Sequence, residues 1–81
     1  MKQALLERIE INPKVMVGKP VIKGTRLPVE LILKMLSQGI STEEILEEYP
    51  HLSREDIRAA LAYAAEALEV EEVLPLERAG T

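Results

Sequence analysis

From Pro28 to Leu68 the apolar residues recur at helical spacing, broken at only two short places, which constrains this stretch to three short helices packed on one another. Pro28 suits a first helical position because its φ is already fixed and its missing N–H has no partner there. Leu31, Ile32, Met35 and Leu36 then form a stripe that ends at Gly39, a residue suited to a left-handed C-terminal cap. Ser41-Thr42-Glu43-Glu44 reads S-x-x-E, the reciprocal capping signature, and opens a second helix whose inner face is Ile45, Leu46 and Tyr49. Pro50 stops it. Ser53-Arg54-Glu55-Asp56 opens a third helix with acids in the first turn, where the macrodipole favours them. Its buried stripe is expected at Ile57, Leu61, Ala64 and Leu68, while six alanines between 59 and 67 raise helix propensity and permit close approach. The link of about four residues between helices two and three is that of a helix-turn-helix preceded by a support helix.

Upstream the punctuation differs. Three of the five prolines and two of the four glycines fall within residues 1–28 and bound two β-type runs, Arg8-Ile9-Glu10-Ile11 and Val21-Ile22-Lys23. The second run is entered through Gly18-Lys19-Pro20 and left through Gly24-Thr25, which predicts an antiparallel hairpin over about 8–26. A two-stranded ribbon is marginal alone and must pack on helices or on a second chain. The expected architecture is therefore mainly α: a trihelical core over about 28–69 with a short N-terminal β-hairpin, one domain spanning 1–69, and a C-terminal tail at 70–81.

An 81-residue chain without Cys, Trp or Phe draws its core from Leu, Ile, Val, Ala and Met. At this size about 60% of the unfolded surface is buried, so the core is thin and self-association is expected, through the hairpin or the tail. Absence of cysteine excludes disulfides, thiolate metal sites and cysteine nucleophiles, and fits a reducing cytoplasm. No apolar run approaches the roughly 20 residues that span a bilayer. The overall charge of −4 hides an asymmetry: residues 1–26 carry six bases against two acids, whereas the remainder carries four bases against twelve acids. An anion-binding patch is thus expected early in the chain.

The run Gly18-Lys19-Pro20-Val21-Ile22-Lys23-Gly24-Thr25-Arg26-Leu27-Pro28-Val29 closely resembles the hallmark of the prokaryotic family known as domain of unknown function 433, roughly G-[GK]-[KR]-P-x-[IV]-x-G-T-R-[IVL]-P-V. The resemblance continues through Gly39-Ile40-Ser41-Thr42-Glu43-Glu44-Ile45-Leu46-Glu47-Glu48-Tyr49-Pro50, Leu52 and Glu55-Asp56-Ile57-Arg58-Ala59-Ala60-Leu61, so that it covers about residues 9–68. Where that family usually shows a second glycine, this chain has Lys19 directly after Gly18. The resemblance implies a homeodomain-like or winged-helix-like trihelical module, often encoded beside a PIN-like ribonuclease toxin and acting as its antitoxin. It implies no catalytic residue.

Two readings stand for each candidate site. Lys19, Lys23 and Arg26, with the amide of Thr25, form either a basic turn that contacts phosphate or a turn in which Gly24 supplies a positive φ, Thr25 ties the ends and Arg26 pairs with an acid. Arg54 and Arg58, near the start of the third helix, lie where a recognition helix would reach DNA, but Glu55, Asp56 and the acids of helix two sit among them. The acids read as a solvated face or as a docking face for a basic partner, since no histidine or structured loop completes a metal site. His51 reads as a turn residue without a nucleophile in reach, and no cofactor motif is present, so binding rather than catalysis is expected, with a stand-alone DNA-binding regulator or a protein-interaction adaptor as the alternatives to an antitoxin. Tyr49 is expected beneath Pro50 in the core. In the tail, Val70, Val73, Leu74, Leu76 and Arg78 read as a partner-binding arm or as a segment docking on its own domain or a dimer mate.

Overall fold

A computed structural model of the chain describes residues 2–68. In chain order its elements are α1 (Lys2–Leu6), β1 (Ile9–Glu10), β2 (Val21–Ile22), α2 (Val29–Ser37), α3 (Thr42–Glu48) and α4 (Arg54–Ala67). The strands pair antiparallel with Ile9 opposite Ile22 and Glu10 opposite Val21. Three helices follow the hairpin, in agreement with the expected mainly helical class.

Local chemistry accounts for each boundary. Helix α2 starts one residue later than the sequence suggests, because Pro28 stays extended as the cap and bridges Val21 of the hairpin. Its carbonyl still accepts from the Leu31 N–H at 3.1 Å, so hairpin and helix share that residue. At the other end Gly39 adopts φ +87°, and Ile40 N–H reaches back to the Met35 carbonyl at 3.1 Å, the Schellman closure that satisfies the last carbonyls. The Ser41 hydroxyl accepts from Glu44 N–H at 3.1 Å while the Glu44 carboxylate accepts from Ser41 N–H at 2.9 Å. Helix α4 repeats the device with Ser53 and Asp56, at 3.3 and 3.0 Å.

The core gathers Ile22 from the hairpin, Val29 and Ile32 from α2, Ile45 from α3, Leu52 from the interhelical turn, and Ile57 and Ala60 from α4. Tyr49 is half-buried against it, as expected, and His51 is exposed. Each fully buried Ile or Val contributes about 1.5–3 kcal/mol, so the hairpin is held by Val21 and Ile22 more than by its few ladder bonds.

One expectation fails. Leu61 and Leu68, read as part of the buried stripe of α4, are 48% and 77% exposed; the helix instead buries Asp56, Ile57, Ala59 and Ala60. The thin core draws α4 close to its neighbours, which only alanine at 59 and 60 permits, and the larger leucines are rotated outward. A second feature was not expected at all: α1 packs along α4, tied by Arg8 Nη1 donating to Asp56 Oδ1 at 3.1 Å. Between the strands, Met16, Val17 and Gly18 take φ values of +50°, +55° and +82° in a left-handed turn. No helix among the described residues is long and apolar enough to cross a membrane. The tail residues Val70, Val73, Leu74, Leu76 and Arg78 lie outside the described residues.

Candidate functional site

The hairpin's exit turn, Lys23 to Arg26, is braced by its own hydrogen bonds. Thr25 Oγ1 donates to the Ile22 carbonyl at 2.7 Å and accepts from Leu27 N–H at 3.0 Å. Ile22 N–H meets the Leu27 carbonyl at 3.1 Å, Thr25 N–H meets the Ile22 carbonyl at 3.0 Å, and Gly24 takes φ +82°. Both hydrogen-bonding roles of the Thr25 hydroxyl are thus used inside the turn, and its amide is used as well. Lys23 and Arg26 are different: both are exposed, and neither makes an ion pair among the described residues. The turn holds two cations outward on a fixed backbone. Lys19 does not join them, because its ammonium donates to Glu30 Oε2 at 2.7 Å.

Helix α4 presents a more crowded face. Arg54 reaches back to α3 and donates to Glu43 Oε2 at 2.8 Å, which holds the Glu43 carboxyl below the usual carboxylate range. Arg58 is exposed and makes no ion pair among the described residues, but it lies beside α1, sharing a cleft with Ala4, Leu5, Arg8 and Glu55. The early turns of α4, which a recognition helix would lay into a major groove, are therefore partly covered by α1 and partly committed to α3. The structure brings Lys23 and Arg26 together on one turn and leaves Arg54 and Arg58 on a separate, encumbered element.

A contact that the sequence does not announce, between Arg8 and Asp56, organises this region. Asp56 is only 8% exposed, yet its carboxylate accepts from Ser53 N–H through Oδ2 and from Arg8 through Oδ1. It caps α4, anchors α1 and, with Glu7 and Lys23, lines a polar cleft of about 410 Å³. The cap was legible as Ser53-x-x-Asp56; the Arg8 contact, 48 residues distant, leaves no short-range signal. On another side, Pro20, Val29, Glu30, Leu33, Tyr63 and Leu68 border an apolar groove of about 330 Å³ between α2 and the end of α4. Among the described residues no three His, Asp or Glu side chains converge as metal ligands.

Residues 9–64 match the family described as protein of unknown function, DUF433. An uncharacterised protein of Sinorhizobium fredii, y4eO, is 39% identical over 61 residues, 75% of this chain and 28% of that protein. An uncharacterised protein of Archaeoglobus fulgidus is 68% identical over 25 residues, 31% of this chain and 69% of its own length. The chain thus spans little more than a quarter of the Sinorhizobium protein. The crystal structure of a DUF433 member from Anabaena variabilis superposes with a TM-score of 0.74 at 37% identity, covering 83% of this chain and 66% of that one.

Proposed function

Because the chain belongs to the DUF433 family, we propose that it is the antitoxin half of a toxin–antitoxin pair, acting by binding to a PIN-like ribonuclease in the cytoplasm rather than by catalysis. The observation that carries this reading is the Lys23–Arg26 turn. A ribonuclease of that kind works through a carboxylate-rich metal site, and a braced turn with two exposed cations that form no ion pair among the described residues suits such a site. Charge-assisted bonds from Lys and Arg to carboxylate are the stronger kind, and a backbone already fixed loses little entropy on docking. The acids of α3 stand away from that role as a solvated face. Operator binding is a second reading, favoured by the short connection from α3 to α4. With α1 lying along α4, the DNA phosphates would be met by the same Lys23–Arg26 turn before any base was read.

The test is a pull-down of the tagged protein from its native lysate at low and moderate salt, with both protein and DNA identified. Recovery of a small ribonuclease whose RNA cleavage the protein inhibits is the expected result. The double variant Lys23→Ala/Arg26→Ala should then lose inhibition while keeping its Tm, since neither side chain supports the turn. Retention of one DNA fragment alone, weakened steeply by salt, would replace the antitoxin reading with a regulator.

A further inference from the structure

The left-handed turn at Met16–Gly18 sets a β-branched residue where side chains are rarely tolerated: Val17 has φ +55° and ψ +35°. It is also 92% exposed. An apolar side chain held in a strained backbone and pointed at water gains little from packing among the described residues, and strain of this sort clusters at functional contacts. The groove between α2 and α4 has the opposite character, being an apolar hollow without an occupant among the described residues. The turn leads directly into the rim of the groove. Pro20, three residues after Val17, borders the groove, and Lys19 bonds Glu30 on its rim.

We propose that the protein pairs with a second copy of itself about a two-fold axis, the Val17 knob of each protomer seated in the groove of the other beside Val29, Leu33, Tyr63 and Leu68. A patch that carries both plug and socket is complementary to itself, so the pair closes and does not propagate. Charge matches as well. The loop from Asn12 to Lys19 holds Lys14 and Lys19 and no acid, whereas the charged rim residue of the groove is Glu30. Glu30 uses Oε2 for Lys19 of its own chain, which leaves Oε1 open to Lys14 of the partner. Such pairing also covers the exposed Leu68 and thickens a core that is thin at this chain length. The pairing stands independently of the toxin reading, since it uses neither Lys23 nor Arg26.

Sedimentation equilibrium of the full chain tests it. The expected mass is twice that of the chain, with dissociation on dilution and a Tm that rises with concentration, as linkage requires of a dimer that binds only the folded state. Val17→Asn removes the apolar knob with a side chain that accepts a left-handed backbone. It should weaken dimerisation at least tenfold while the Tm of the dilute monomer stays level or rises. Leu68→Gln, at the groove, should weaken pairing similarly, and Leu61→Glu, outside the patch, should leave it intact. A monomer at all concentrations overturns the proposal, as does a dimer indifferent to Val17→Asn or one that only Leu61→Glu dissociates. A monomer whose Tm falls on Leu68→Gln would give the groove to another segment of the same chain.

Discussion

Asp56 joins the cap of α4 to the segment that follows α1. Its two oxygens serve different masters, one closing the cap of α4 and the other holding Arg8. Arg8 is 44% exposed and regains water when released, so Asp56→Ala costs mainly the cap, about 1–2 kcal/mol, and not the larger penalty of a stranded buried charge. Thermal or urea unfolding checks this; a loss above about 4 kcal/mol would mean that Arg8 is far less able to rehydrate than its exposure indicates. Gly24→Ala carries a purely conformational cost: nothing lies within 4 Å of the added methyl, but φ +82° disfavours it by about 1 kcal/mol. Its circular dichroism should be unchanged and its Tm lower. The sequence announced Gly24 through the Gly-Thr-Arg turn, while nothing in the letter valine announces the left-handed Val17. Positive φ is readable where glycine supplies it and hidden where another residue is forced into it.

Among the elements, α3 is the shortest of the three core helices and the most dependent on its caps and its cross-helix bond. The Arg54 guanidinium depresses the Glu43 carboxyl, so the pair adds stability above the ordinary carboxyl value of 4.5, and this is lost as pH falls below it. Both side chains are exposed, so the effect is small and screened by salt. Glu43→Gln should therefore flatten the acid side of the Tm-against-pH curve slightly at low ionic strength, and the difference from wild type should vanish in high salt. A difference that survives high salt would contradict a surface bridge. The three core helices were legible because Gly39, Ser41, Pro50 and Ser53 mark their ends chemically. Helix α1 was not, since five residues do not complete two helical turns and no periodicity can develop. The rotation of α4 was misread for a related reason: spacing rules weigh leucine, whereas close packing of helices selects alanine.

For the whole molecule, the thin core makes stability sharply dependent on single apolar residues. Ile32 is fully buried where the hairpin and the helices meet, and Ile32→Ala should cost about 3 kcal/mol. In a domain of this size each kcal/mol moves Tm by roughly 4–8 °C, so the variant should melt at least about 12 °C lower. A drop of only a few degrees would show that the surroundings collapse into the space. The candidate site was legible in part. Charge asymmetry pointed early in the chain, and the Lys23–Arg26 turn is there. The partnership of Arg54 with Glu43 and of Lys19 with Glu30 depends on tertiary placement, 11 residues apart in each case and across element boundaries.

The contact of α1 with α4 has a kinetic side. A five-residue helix held by its packing along α4 and by the Arg8–Asp56 ion pair just beyond its end opens more often than the core beneath it, and amide exchange should resolve that opening as a separate, faster event. The face of α4 that α1 covers is then bared only during those excursions, while Arg54, Glu55 and Arg58 stay exposed throughout. A ligand competing for that face would associate no faster than the cover lifts, and once bound it would leave the amides of residues 2–6 exchanging as if unfolded. The protein would thus meter its own association rate by its breathing, and shortening the chain at its start would remove the meter.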